Sequence, residues 1–404
     1  MLLNECDPSN APQGSSGNLA EVATVVVNDR QFNNWESVYI QQRWAEAFPI
    51  FKFTTADIVE VPPKDWQTLQ FKPRDTCSIY LGGLLAISGF ITTRQTSYDA
   101  ENHQVQLEGV GLTWFAARAS ILHPTGNFDG KTFEEVADEV IGPTGVGICK
   151  VGTLDATPFE RLSSEVGETV WDFLERIARV RGIVLGSDHL GNFLLIGNHW
   201  FTPTDSVVEG VNIKRMNAII HVGDIFSEYR VRGQSAASDP QFGPQASEQE
   251  SQPVPGTSVR YSPLLVPAEQ PVWGQGELDM RAQHEAVWHE GTEIQVTVVV
   301  QGWMRPSGGL WRPGQDVWVR SPMAMLDMVM KVQMITFTQD RASGTLTTLD
   351  LVPPWLLKDQ GEWNVSRLGA PPAPGGGTSA QPGQPFGQPP DMLPGARPPP
   401  GGGV

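Results

Sequence analysis

The chain has 404 residues, room for about three domains of ordinary size. Its 28 basic and 45 acidic residues leave a formal charge of −17, which argues against specific nucleic-acid binding and against docking on an anionic membrane, since both need clustered Lys and Arg. A hydrophobic share of 40% suffices for packed cores, yet no run approaches the about 18–20 apolar residues of a membrane-spanning helix.

Residues 1–20 lack a basic region followed by an apolar core and read as a flexible arm rather than a secretory signal. The three cysteines, Cys6, Cys77 and Cys149, are widely spaced without a CxxC, so reduced, packed thiols are expected. From Val22 to about Ser120 the chain reads as strand after strand: EVATVVV, WESVYIQQRW, FPIFKFT, TCSIYL, LAISGFITTRQT and HQVQLEGV. Arg30 to Asn34 and Tyr98 to Asn102 read as turns. Cys77, Ile79 and Leu81 alternate as the inner face of a half-buried strand. Pro62, Pro63 and Pro73 confine the stretch before them to loop or edge. This is a first β-barrel domain, 21–120.

A small α/β domain is expected over 121–205. In TFEEVADEVI, Phe133, Val136, Ala137 and Val140 fall at helical spacing, and Thr132 with Glu135 makes a capping box. TVWDFLERIARVR repeats the pattern with Val170, Phe173, Leu174, Ile177 and Ala178 inward, and Gly182 is placed to end the helix. GIVLGSDHLGNFLLIGN then reads as a hairpin turning at Ser187 to Gly191.

A second β-barrel domain is expected over 206–358. Strand returns from Val211 to Gly233. Residues 236–270, rich in Pro, Gln, Ser and Glu, read as a long loop insertion, and Leu278 to Glu290 as a helix stopped by Gly291. Ile294, Val296, Val298 and Val300 then alternate, glycines and prolines from Gly302 to Gly314 supply turns, and Val317 with Val319 faces inward. In Met328 to Phe337 the apolar parity switches from Met328, Met330, Val332 and Met334 to Ile335 and Phe337, which a strand achieves only through a bulge or bend. Residues 359–404 are a Pro/Gly-rich tail unable to bury a core. The fold class is therefore mainly β with α+β character: two similar antiparallel β-barrels, a small α/β module between them, and a disordered or extended tail.

The barrels share a look-alike hairpin. Without a gap, Ile91 to Leu107 lies on Ile335 to Leu351, Ile91 on Ile335 and Leu107 on Leu351. True duplication and the general likeness of equal hairpins both account for this.

Catalytic signals fail on inspection. TGNFDGKT over Thr125 to Thr132 has Thr125 where a phosphate-cradling loop needs its first Gly, and no hydrophobic strand precedes it; a capped helix start explains it. HEAVWH places His284 and His289 five apart, so they diverge by about 140° on a helix and cannot share a zinc. His103, His189, His199 and His221 are scattered, and Glu134, Glu135, Asp172 and Glu175 fit helix N-terminal electrostatics. No catalytic, cofactor-binding or metal residue is assigned, and no cofactor is expected.

The order of ETVWDFLERIARVRGIVLGSDHLGNFLLIG, SEYRVRGQ, RAQHEAVWHEG, VTVVVQGW, GGLWRPGQDVWVRSP, ITFTQD and TLTTLDLVPP resembles the baseplate hub proteins of Mu-like contractile-tailed phages, over about Val22 to Leu357. Gly302 with Trp303, Leu310 with Trp311 and the GQDVWV strand carry it most strongly. The family is also similar to the base of type VI secretion spike proteins. The resemblance implies a non-enzymatic virion protein of the tail baseplate, assembled in the bacterial cytoplasm. It implies a homotrimer whose two barrels per copy give six positions, matching a sixfold tail tube or tube-initiator protein on one side and a threefold central spike protein on the other, beside other baseplate proteins. DNA would pass through without being held. Competing readings are a spike base of a type VI or related injection system, and a carbohydrate-binding β-barrel using some of its 13 tryptophans. Trp303 and Trp311 are read as core, with subunit contact as the alternative.

Overall fold

The computed structural model describes residues 21–32, 35–56, 71–98, 103–197, 205–221, 223–233, 249–258, 260–268 and 275–354. The arm at 1–20, the tail at 359–404 and the turn at 99–102 lie outside these residues.

The first block holds β1 (Ala23–Val27), β2 (Arg30–Phe32), β3 (Ser37–Arg43), β4 (Ile50–Ala56), β5 (Thr76–Leu81), β6 (Leu84–Tyr98) and β7 (His103–Gly111). Alternation decides which face is buried: Val38, Ile40 and Gln42 of β3, and Cys77, Ile79 and Leu81 of β5, all point inward. One turn falls earlier than the sequence suggested. Asn28 and Asp29 take φ of 47° and 63°, a left-handed pair that Asn and Asp tolerate and that closes a two-residue hairpin. Arg30 to Phe32 is consequently a strand paired with β1.

Next comes the small α/β module: α1 (Thr113–Arg118), α2 (Phe133–Ile141), β8 (Ile148–Val151), α3 (Val170–Arg181), β9 (Val184–Ser187) and β10 (Phe193–Ile196). Both longer helices form as their caps dictate. Thr132 Oγ1 accepts from Glu135 N while Glu135 Oε2 accepts from Thr132 N, and Gly182 ends α3 at φ 60°. β9 and β10 form the anticipated hairpin, and β8 adds to β10 in parallel. Phe128, Phe133, Phe173 and Phe193 centre the module's core. The expectation of reduced thiols is corrected here: Cys77 is free and buried, but Cys149 on β8 is disulfide-bonded. Spacing in sequence says nothing about which sulfurs fold together.

The remainder comprises β11 (Asp205–Val208), β12 (Ile213–Ile220), β13 (Glu228–Gly233), β14 (Gln249–Glu250), β15 (Val254–Pro255), β16 (Pro263–Pro267), α4 (Gln275–Gly291), β17 (Ile294–Gln301), β18 (Asp316–Ser321), β19 (Leu326–Asp340) and β20 (Gly344–Val352). The stretch expected as a loop differs: β14, β15 and β16 flank β13 in a separate four-stranded sheet on which α4 packs. These strands are two to five residues long and rich in Pro, too short to show a period.

The two β blocks are similar in detail. β5, β6 and β7 have 6, 15 and 9 residues, and β18, β19 and β20 have 6, 15 and 9. Each long middle strand carries a bulge against its last strand, between Ile91 and Thr93 in β6 and between Val332 and Met334 in β19. The parity switch read from Met328 to Phe337 is this second bulge. Matching the bulges sets Ile91 on Val332, and Leu107, opposite Arg94, on Leu349, opposite Ile335. The gapless alignment is therefore out of step in both arms, by three residues in the first and two in the second, and the two hairpins differ by one residue in the turn. The blocks are not separate sheets: one path runs β12-β17-β20-β19-β3-β4-β7-β6-β5-β1-β2. One continuous core joins Ile40, Phe53 and Leu107 to Val298, Trp311 and Phe337.

Candidate functional site

For a chain of this build the sites that matter are seams and free edges. The seam between the blocks is an antiparallel ladder of β3 on the distal half of β19, from Arg43 opposite Met334 to Ser37 opposite Asp340. β19 serves two neighbours on one side because its proximal half pairs with β18 and its distal half with β3. The bulge at Gln333 makes the hand-over: its carbonyl, out of the β20 ladder, accepts from Trp44 N at 2.7 Å. The Trp44 ring covers Gly314, whose φ is +81°; a methyl group added to its Cα would lie 2.0 Å from the ring. Beneath, Lys331 pairs with Asp316 at 2.8 Å, both buried, and donates to Gly314 O.

A second seam gathers all three parts of the chain around Arg312. Its buried guanidinium donates to Leu85 O at 2.7 Å and Ala86 O at 3.2 Å on β6, beside Gln42 of β3, which also donates to Ala86 O. Burial pulls its pKa down to about 10, and the nearby Asp188 carboxylate opposes that shift. Asp188 and His189 lie in the β9–β10 turn, where His189 O accepts from Ser88 N. Burial first and the Arg312 charge second lower the His189 pKa to about 3, so it folds neutral. An unfolded histidine titrates near 6.5. Between those values the unfolded chain binds the extra proton, so stability falls as pH drops below about 6.5. The raised carboxyl of Asp188 acts oppositely, nearer its own ordinary range. Because His189 keeps some exposure, a loss of roughly 1 kcal/mol between pH 7 and pH 5.5 is expected. Urea midpoints at the two pH values should show it, and His189→Gln should flatten the difference.

A third buried cluster ties β11 to the loop before β18. Asp205 accepts from Arg305 Nη1 at 3.0 Å, Ser307 N at 2.8 Å and Ser307 Oγ at 2.8 Å. This fixes the loop that seats Trp303 and Trp311, each only 1% exposed. Both tryptophans are core.

The motifs that mimicked chemistry have structural roles. In the Thr125 to Thr132 loop, Phe128 is buried, Lys131 pairs with Glu139, and His123 accepts from Gly126 N and contacts Glu139 at 3.2 Å. On α4, His289 stacks on Tyr229 with ring centroids 5.8 Å apart. Among the described residues no three of His, Cys, Asp or Glu are grouped to hold a metal, and no helix is long and apolar enough to cross a membrane. A groove of about 710 Å³ beside α1 and α2 is lined chiefly by apolar side chains such as Phe115, Leu122 and Val140. Its titratable members, His123 and Glu139, are engaged with each other.

Among the strands with an edge left open are β12 and the distal half of β6. Among the described residues β12 ladders with β17 alone, and the distal half of β6 with β7 alone. β12 shows Ile219 and Ile220 to solvent, 53% and 46% exposed. Sequence reading missed these edges; the adjacent pair Ile219–Ile220 was the available signal, since a half-buried strand alternates. At the β18–β19 turn, Met323 and Met325 are also exposed, and Glu209 holds the turn through Ser321 Oγ and Met323 N.

This β-dominated fold with an α/β module is that of phage tail proteins and type VI spike bases. The 43 kDa tail protein of prophage MuSo2 from Shewanella oneidensis matches with a TM-score of 0.72 and 24% identity, over 84% of this chain and all of that one. An E. coli component of the type VI secretion system matches at 0.53 and 10%, over 84% and 79%. More particularly, residues 117–197 match the second domain of gp44-like baseplate hub proteins, and residues 277–358 the fourth domain of the Mu phage baseplate assembly protein GpP. The baseplate hub protein gp44 of Escherichia phage Mu is 24% identical over 347 residues, 83% of this chain and 88% of that protein. Two stretches of the chain are thus similar to domains of Mu-type baseplate proteins, and the resemblance read from its residues is borne out.

Proposed function

We propose that three copies of this chain form a ring in the baseplate of a contractile phage tail, joining the tail tube to the central spike without catalysis. The observation that carries this reading is the doubled block: two similar β units fixed edge to edge in one polypeptide, so that three chains present six comparable units. Such a ring offers sixfold repetition to a tube and threefold repetition to a spike. The division at about 120, 205 and 358 serves it, with the α/β module and the β13 sheet set beside the paired blocks. Its home is the virion baseplate after assembly in the host cytoplasm, with other baseplate proteins around it. The acidic balance of −17 suits a conduit whose wall does not retain passing DNA.

The fold likeness to a type VI component supports a second reading, the base of a spike in an injection device. The sugar-binding reading loses support, because Trp303 and Trp311 are buried. Light scattering with negative-stain imaging tests the proposal. The expected mass is three times the 44.1 kDa of one chain, with rings showing six densities. A monomer that stays monomeric with spike and tube proteins present would overturn it.

A further inference from the structure

The groove beside α1 and α2 is built to hold something apolar and slender. Phe90 and Phe115 form one wall, their ring centroids 5.2 Å apart and their planes at 72°. Leu122 and Leu190 stand at its margins. Phe115 is 49% exposed, Leu122 98% and Leu190 45%. A soluble protein that gathers half-exposed aromatic and aliphatic side chains along one concave surface is offering a binding site.

We infer that residues 381–390 of the chain's own C-terminal tail, QPGQPFGQPP, lie in this groove as a polyproline II segment, with Phe386 against Phe90 and Phe115. Chemistry favours that occupant. Pro382 and Pro385 are three apart, and in a helix of three residues per turn such prolines share one edge about 9 Å apart, the spacing that aromatic-lined grooves read. Proline's fixed φ keeps the entropy lost on docking small. The same spacing recurs at Pro371 and Pro374, but glycines follow it, whereas Phe386 adds a ring directly after Pro385. Residues 381–390 carry no charge. That suits a groove whose titratable members, His123 and Glu139, already meet each other at 3.2 Å.

The place where the chain leaves β20 favours the same occupant. Val352, Pro353 and Pro354 are buried, and Val352 lies opposite Lys331. The Lys331 ammonium is 6.0 Å from the Trp44 ring, and Trp44 packs with Leu194 of β10. The turn leading into β10 supplies Leu190, Gly191 and Asn192 to the groove. Between Pro354 and residue 381 lie residues 355–380, 26 in number. A linker of that length reaches on the order of 30 Å even as a coil, more than the about 18 Å of the 12-residue α3. Tethering at that range gives an effective concentration in the millimolar range, so even weak contacts keep the groove filled.

Photo-cross-linking in the full-length chain tests the inference. With p-benzoylphenylalanine in place of Phe386, irradiation followed by peptide mass spectrometry should place the label at Phe90 or within 112–123 or 140–147. The reciprocal placement, at Leu122, should label the tail within 381–390. Labelling from either position at those residues, on a product of single-chain mass, supports the contact. Phe115→Lys, at a half-exposed position that leaves the core intact, should cut that labelling by about tenfold or more. Absence of these labels from both placements, a product that joins two copies, or labelling unchanged by Phe115→Lys would overturn it. The result does not depend on the ring, since it concerns contacts within one copy.

Discussion

Asp205→Ala is expected to destabilise the chain by about 3–5 kcal/mol, because it leaves the Arg305 guanidinium buried without its carboxylate. Asp205 and Arg305 side chains are 2% and 5% exposed and meet at 3.0 Å, so water cannot replace the lost partner. The backbone N–H and hydroxyl of Ser307 lose their acceptor in the same step. The loop those bonds anchor is the one that seats Trp303 and Trp311, and damage should spread to the core. Arg305→Met added to Asp205→Ala removes the stranded charge and should recover much of the loss. Denaturant unfolding of the two variants makes the comparison; a double variant no more stable than Asp205→Ala would show that the hydrogen bonds to Ser307, rather than the ion pair, hold the loop.

Gly314→Ala is expected to cost about 2–5 kcal/mol, the sum of a left-handed backbone penalty and overpacking. At φ +81° a side chain is disfavoured anyway, and a Cβ there would lie 2.0 Å from the Trp44 ring. The ring cannot retreat freely, since Trp44 N is bonded to Gln333 O at the bulge. The effect should separate into two parts. Trp44→Ala makes room and should return only the steric share, leaving the backbone penalty to be read from the difference in thermal midpoint between Gly314→Ala in the two backgrounds.

What was legible in the sequence was local. The alternation of Cys77, Ile79 and Leu81, the capping box of Thr132 and Glu135, the stop at Gly182 and the parity switch before Ile335 each depend on neighbours within a few residues, and each appears in the structure. What escaped depends on partners far along the chain. A bulge is a property of a ladder, so the matching of the two hairpins was set three residues away from Val332 for Ile91. The Arg312 junction draws on residues more than two hundred positions apart, and nothing near Pro313 marks it. The β13 sheet was hidden for another reason: strands of two residues carry no period. Open edges are the subtlest case, because a strand's sequence reports what its faces meet and only weakly what its hydrogen bonds meet.

The single polypeptide that runs through the β3–β19 ladder has an effect on how a larger object could be put together. Bodies that associate surrender translational and rotational freedom, and here the mutual placement of each pair of blocks is settled during folding, before any collision in solution. A closed circle built from such doubled pieces has half as many bodies to immobilise as one built from single blocks, and every second joint arrives already aligned.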